Sequence, residues 1–423
     1  MIQEFSIENT YSIKTRQTIS FEAVQDNIED SVHYITIGST RLLKLAAIYG
    51  SNASGKSNML KAVSFYINFI VNAFTKLKPQ EQTGFQPFAF SKEMRDKPGG
   101  FQLVFFSDDI KYEFEICLDR KCIHTERLSY SPKGQKKLIY QRTCQNCSDE
   151  CEKLEYDWKW GDTLSGSKKK IADMTRYNVT FLNTAAQLDH PDLGSIYNDI
   201  SNAFMPLITP GTLGLIDYTI ERLEKVAESK KEILNLLSKA DFSHINDITV
   251  HTKEAPSSLI NSFSDGVRKE ILGDEGKFVT KEILLSHQYD DNVLMHLSHE
   301  SAGTRRMLEL SGPLLEIIQN KHFITVDEIE SSLHQELLEF LLKTFLENSK
   351  KSQMLFTTHN LDLLDSEFLI DDEIWFSEKG DDGGSIYTGF VEYTGIRKGT
   401  SRKKLYNAGK FGAKPIISSL ITD

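Results

Sequence analysis

No stretch of this sequence is apolar for long enough to cross a bilayer. Its most apolar run, Ala62 to Phe74, is interrupted by Ser64, Tyr66, Asn68 and Asn72, well short of the roughly 20 apolar residues a spanning helix needs. Positive charge is in deficit as well: 49 Lys and Arg stand against 60 Asp and Glu, a net charge of −11. A constitutive, high-affinity DNA binder carries a basic domain, so that class is disfavoured. The local clusters at Lys168–Lys170 and at Arg397, Lys398, Arg402, Lys403, Lys404 and Lys410 read first as solvated faces. Glu4 and Glu8 stand where a secretory leader wants positive charge, so secretion is not expected and a cytoplasmic protein is. Internal repeats, low-complexity tracts and long heptad runs are absent too. What remains is an ordinary globular composition, 39% apolar and 26% charged, over 423 residues that allow two or three sub-domains.

Cysteine is scarce. The five fall at positions 117, 122, 144, 147 and 151. Cys144-x2-Cys147-x3-Cys151 with Cys122 or His124 is half of a zinc-clip pattern, lacking a second C-x2-C pair. The plainer reading is a set of free thiols in a hairpin loop.

The strongest positive signal begins at residue 45. Leu45-Ala46-Ala47-Ile48-Tyr49 suits a buried strand, and Gly50-Ser51-Asn52-Ala53-Ser54-Gly55-Lys56-Ser57 fits G-x-x-x-x-G-K-[ST] at every fixed position. Leu60, Val63, Ile67, Ile70 and Phe74 then recur at helical spacing. Strand, loop and helix therefore stand in the order a phosphate-binding loop requires. Glycines let backbone N–H groups turn inward around phosphate, and the helix start adds unsatisfied amides and a positive dipole end. Residues Gly50 to Ser57, with Asn58, are the expected nucleotide cradle; Lys56 would reach the β- and γ-phosphates and Ser57 would ligate Mg²⁺.

The far half of the chain narrows the class. His322-Phe323-Ile324-Thr325-Val326 leads into adjacent acids, Asp327 to hold the magnesium and Glu328 to polarise the attacking water. About twenty residues upstream, Ser301 and Gly303 precede Met307, Leu308, Leu310 and Leu314, like an ABC signature loop opening its helix. Such a loop offers a hydroxyl and bare amides to a γ-phosphate held by another copy. Met354-Leu355-Phe356-Thr357-Thr358 ends at His359, the position of a switch histidine, and Glu330-Ser331-Ser332-Leu333-His334 resembles a D-loop. Rival P-loop classes fit badly. Asn320-Lys321-His322-Phe323 lacks the aspartate of a guanine motif, neither an arginine finger nor a helical lid of an AAA+ ring can be placed, and a transporter subunit would carry a fuller signature.

Phe5-Ser6-Ile7-Glu8-Asn9 and Ser12-Ile13-Lys14 resemble the first strands of SMC- and RecF-like ATPases. The wider combination resembles the OLD-like, RloA/AbiL-type ATPases of prokaryotic defence loci. Its pieces are Gly50–Ser57, Pro87-Phe88, Glu126-x-Leu128, residues 178–188, Glu300–Thr304, Val326–His334, Thr358-His359-Asn360, Asp372–Phe376 and Gly409–Ala413. That resemblance implies an ATP- and Mg-dependent hydrolase in phage defence or abortive infection, controlling a separate effector, commonly a nuclease. The sequence ends at Asp423, soon after the ATPase core, so a fused Toprim nuclease of the full OLD pattern is not expected. The Q-loop glutamine stays open between Gln86 and Gln102.

The expected fold is therefore α/β, an ABC-type P-loop ATPase head with an antiparallel β flank and a helical insertion. Residues 1–190 would carry the phosphate loop and the β flank, 191–285 the helical insertion with Ile220 to Ala240 its clearest amphipathic piece, and 286–423 the second half of the head. A homo-oligomer sandwiching ATP is expected, with nucleic acid as a possible partner and no membrane. The competing function is a RecF- or SMC-like repair ATPase that clamps DNA directly.

Overall fold

Alternating burial organises the first sheet. Strands β1 (Ile2–Glu8), β2 (Gln17–Ser20), β6 (Gly99–Ser107), β7 (Ile110–Leu118), β8 (Ile123–Ser131), β9 (Lys137–Cys144) and β10 (Tyr156–Trp160) form an antiparallel sheet in the order β10-β9-β8-β7-β6-β1-β2. Phe101, Leu103 and Phe105 of β6 and Phe114, Ile116 and Leu118 of β7 are buried, the period-two face that a pleated strand presents to a core. Strands β3 (Tyr34–Ile37) and β4 (Thr40–Leu43) pair separately.

The second sheet has a different logic. Strands β5 (Leu45–Gly50), β14 (Phe323–Val326), β15 (Gln353–Thr357) and β16 (Ile374–Lys379) run parallel, and β17 (Ser385–Gly389) closes one edge antiparallel, in the order β14-β15-β5-β16-β17. β5, β14 and β15 are buried along their whole length, as parallel strands covered on both faces must be. Helix α1 (Lys56–Lys76) lies between the sheets. It packs against β15, β14 and β5, while Tyr66 donates to the Phe114 carbonyl at 2.7 Å and stacks on Phe101. Among the described residues, the same body also holds helices α2 (Lys92–Arg95), α3 (Lys168–Met174), α4 (Phe181–Gln187), α5 (Pro191–Ala203) and α10 (Arg402–Asn407).

This computed structural model describes residues 1–24, 32–147, 154–212, 214–254, 279–397 and 399–412; Cys151, Lys398 and Ala413 lie outside them. Two compact units result. One comprises Met1–Pro210, Asn320–Ile329 and Leu346–Asp423, and the other Gly211–Gln319 and Glu330–Phe345. No helix among the described residues is long and apolar enough to cross a membrane.

In the second unit, helices α6 (Leu215–Lys225), α7 (Ser229–Lys239) and α8 (Ala302–Gln319) accompany an antiparallel sheet of β11 (Ile245–Glu254), β12 (Val279–His287) and β13 (Asp290–His296). Helix α9 (Gln335–Asn348) belongs to this unit as far as Phe345. The amphipathic stretch from Ile220 to Ala240 is two helices, broken where Val226 turns extended. The segment expected to be mainly helical also contains β11 and β12, because β-branched Ile245, Ile248, Thr249, Val250 and Thr252 favour a pleated surface. Helix α8 tolerates Pro313, which cannot donate to the Glu309 carbonyl. Thr219 Oγ1 stands in, at 3.0 Å from the Leu308 carbonyl and 3.4 Å from that of Glu309. Gly312 permits the approach, since a Cβ there would lie 2.5 Å from Thr219 Oγ1.

Sequence pieces far apart meet in the first unit. Glu126 and Arg142 form a fully buried pair, with Arg142 Nε 2.8 Å from Glu126 Oε2. Glu126 also accepts from Tyr140 Oη at 2.6 Å and from the Phe181 and Leu182 amides at 2.9 and 3.2 Å. Arg142→Ala is expected to destabilise the fold by about 3–5 kcal/mol, because it strands a buried carboxylate. The double change Glu126→Gln with Arg142→Met should recover much of that loss in urea unfolding. Equal loss in the single and double variants would mean that shape, not charge, sets the cost.

Candidate nucleotide-binding site

The parallel strands bring three chain segments to one sheet edge. β15 lies between β5, which feeds the glycine loop, and β14, which feeds the two acids, so the carboxyl ends of all three open on the crevice where α/β sheets hold ligands. The loop between β5 and α1 bends through Ala53 at φ 62° and Gly55 at φ 112°. Gly55 has no alternative. A Cβ there would lie 2.1 Å from Ser385 Oγ and 2.7 Å from Ser12 Oγ, in a backbone conformation that side chains rarely adopt.

Behind the loop stands a polar buttress. Ser377 Oγ and Ser385 Oγ donate to the Ser54 carbonyl at 3.1 and 2.6 Å, and Tyr387 Oη to the Gly55 carbonyl at 2.7 Å. Ser12 Oγ joins Ser385 Oγ at 2.7 Å and accepts from Asn58 Nδ2 at 2.8 Å. These bonds fix the Ser54 and Gly55 carbonyls behind the loop. Gly55→Ala is accordingly expected to lower ATP hydrolysis about 100-fold, as a roughly 1 Å misplacement can. A malachite-green phosphate assay would show it, and an unchanged rate would mean the loop shifts without consequence.

Ser57 of the phosphate loop and Thr357 of β15 meet on one carboxylate. Asp327, almost fully buried, accepts through Oδ1 from Ser57 Oγ at 2.9 Å and from Thr357 Oγ1 at 2.6 Å. Its amide donates to the Ile208 carbonyl at 2.7 Å. Thr357 Oγ1 also accepts the Glu328 amide at 2.8 Å. Glu328 is exposed and takes a left-handed φ of 49°, so its carboxylate departs from the strand end in a different direction from Asp327. Lys56, buried, donates from Nζ to the Gly50 and Ser51 carbonyls at 2.9 and 3.0 Å. A hydroxyl and a carboxylate in contact are hard oxygen donors of the kind Mg²⁺ prefers, and the positive dipole end at the start of α1 suits phosphate.

Of the expected site residues, Gly50, Ser51, Asn52, Ala53, Ser54, Gly55, Lys56, Ser57, Asn58, Asp327, Glu328 and His359 lie in the first unit, and Ser301 and Gly303 in the second. His359 is exposed, two residues beyond β15. Ser301 is also exposed and its Oγ accepts the Thr304 amide at 3.0 Å at the opening of α8. Ser301, Gly303, Ser332, Leu333 and His334 line a cavity of about 770 Å³, so the signature-like and D-loop-like segments share one surface. Neither glutamine alternative stands out: Gln102 accepts from Arg16, and the Gln86 carbonyl accepts from Thr10 and Tyr11. Sequence reasoning missed Thr357, Ser377, Ser385 and Tyr387. Only Thr357, at an apolar strand's polar tip, carried a local signal.

A protein-family model matches residues 45–146 and 220–365, more than half of the chain; the family is described as "AAA domain, putative AbiEii toxin, Type IV TA system". No curated protein matches. Among solved structures, the chain is similar to the SMC head domain from Thermotoga maritima, at 14% identity over 92% of this chain and 98% of that one, with a TM-score of 0.40. It is similar to the SMC head bound to the C-winged helix domain of ScpA, at 15% identity over 92% and 96%, with a TM-score of 0.42. A third is the SMC head with an extended coiled coil bound to the C-terminal domain of ScpA derived from Pyrococcus furiosus, at 14% identity over 98% and 99%, with a TM-score of 0.39.

Proposed function

This chain belongs to that family of P-loop AAA domains, and on that premise we propose that it is the ATP-hydrolysing switch subunit of an anti-phage or abortive-infection system. Within the family, the OLD-like, RloA-type pieces of the sequence support that assignment, as does the family's own description in terms of toxin systems. Two copies close on ATP and thereby control a separate effector, a nuclease in the commonest arrangement. The observation that carries the enzymatic part is the Asp327 carboxylate, bonded to Ser57 of the phosphate loop while its neighbour Glu328 is turned outward and exposed.

That geometry supports the following division of labour. Gly50 to Asn58 cradle the phosphates, with Lys56 across the β- and γ-phosphates. Ser57 and Asp327 would hold Mg²⁺, whose charge would offset that of the transferring phosphoryl group. Glu328 orients and deprotonates water, and His359 senses the γ-phosphate from the end of β15. Ser301 and Gly303 close the site on a second copy, offering a hydroxyl and the opening amides of α8. This ABC-type sandwich is supported by the exposed Ser301 and by the surface it shares with the D-loop-like segment.

The effector is tested by co-purifying tagged protein with the products of neighbouring genes, comparing wild type, Lys56→Ala and Glu328→Gln. A protein partner whose association or activity changes in Glu328→Gln but not in Lys56→Ala supports the switch. If DNA rather than protein is retained in that trap, with a steep salt dependence, the repair-clamp reading replaces it.

A further inference from the structure

Antiparallel pairing of β8 with β9 sets Thr125 opposite Thr143, so the end of β9 lies beside the start of β8. Cys144 ends β9 and Cys147 follows in the turn beyond it, while Cys122 and His124 flank the entry to β8. Four metal-binding side chains therefore share one corner of the sheet. Cys122 Sγ lies 3.1 Å from Cys147 Sγ, and the ligand atoms of Cys122, His124 and Cys147 all fall within 4.8 Å of one another. Cys144 Sγ is bonded to Cys147 Sγ and so reaches the same centre. Tetrahedral zinc takes thiolates at about 2.3 Å, which places its ligand atoms about 3.8 Å apart. The observed separations bracket that spacing.

The surroundings are those of a ligand set. Asp119 Oδ2 lies 2.8 Å from His124 Nε2, and its other oxygen accepts the Lys121 and Cys122 amides at 2.7 and 2.8 Å. A carboxylate on one imidazole nitrogen fixes the tautomer and leaves the other, Nδ1, for a metal. Tyr156 Oη donates to the Ile123 carbonyl at 2.7 Å and pins the strand entry between the two candidate ligands. A single disulfide joins two of the three neighbouring sulfurs and leaves Cys122 a buried thiol. One metal ion would engage all three.

We propose that the reduced protein binds one zinc ion through Cys122, Cys144, Cys147 and His124, clipping the β8–β9 corner. The Cys144–Cys147 bond must first be opened. A dithiol reductant gives up two electrons and two protons, closing to its own cyclic disulfide, and leaves two thiols. The three cysteines then lose their protons to water as the cation binds, so affinity rises with pH. With the disulfide in place, too few ligands remain for a closed site.

The test uses full-length protein, reduced with dithiothreitol, desalted without oxygen and titrated with Co²⁺ as a spectroscopic stand-in for zinc. The expected result is one equivalent of Co²⁺ with thiolate-to-cobalt charge-transfer absorption, displaced by Zn²⁺. Cys122→Ser and Cys147→Ser should each weaken binding more than tenfold, with folding checked by circular dichroism. Cys117→Ser and Lys56→Ala should bind as wild type does. Failure of the reduced wild type to develop the band, or a band unchanged in folded Cys122→Ser, would overturn the proposal.

Discussion

Replacing Glu328 by glutamine is expected to cut steady-state ATP hydrolysis by about 10²–10⁴-fold, the usual contribution of a positioned general base, while ATP binding is retained. The neighbouring Asp327 cannot substitute, because its Oδ1 is occupied by Ser57 and Thr357 and its side chain is buried. Glu328 is free of that duty. Its left-handed φ of 49° is uncommon for a residue with a Cβ, and the Thr357 hydroxyl that receives its amide helps to hold it there. Such strain at a strand end is characteristic of sites where a side chain must be aimed. Glutamine preserves shape and hydrogen bonding but cannot take a proton from water. Phosphate release together with filter-bound nucleotide measures both quantities. A hydrolysis rate within about threefold of wild type would assign the base elsewhere, with His359 the next candidate.

Lys56→Ala should act earlier, on binding. The ammonium is held across the mouth of the loop by the Gly50 and Ser51 carbonyls, so little reorganisation is needed before it meets phosphate. Hydrogen bonds from a charged donor are worth about 1.5–3 kcal/mol each. Losing two of them costs about 3 kcal/mol or more, at least roughly 100-fold in affinity for Mg-ATP. Calorimetric titration reads this directly. An affinity within about threefold of wild type would show that the loop amides alone carry the phosphates. Together, the two variants separate the steps: Lys56→Ala empties the site, and Glu328→Gln fills it without turnover.

Much of this was legible in the chain because the chemistry is written locally. Gly50 to Ser57 form a contiguous motif between an apolar strand and an amphipathic helix, and Asp327 and Glu328 end a strand of four buried residues. The buttress was not legible. Ser385 reaches the Ser54 carbonyl across 331 positions and Ser377 across 323, and a serine in a strand gives no sign of which loop it will brace. The same limit hid Thr357, whose two bonds to Asp327 and Glu328 exist only once β15 has inserted beside β14. The strands at Ile245–Glu254 and Val279–His287 were overshadowed by the helical pattern before them, although their β-branched residues were in plain view. The cysteines were read by spacing along the chain, which showed one C-x2-C and no second. The second half of that cluster is Cys122 and His124, supplied by strand pairing.

The central claim, that ATP is shared between two copies of this chain, is tested most directly by light scattering of Glu328→Gln at fixed concentration. The mass should double with Mg-ATP, stay single with ADP or without nucleotide, and remain single with Mg-ATP when Ser301→Arg is added. A mass that does not respond to ATP, or a doubling untouched by Ser301→Arg, would contradict it.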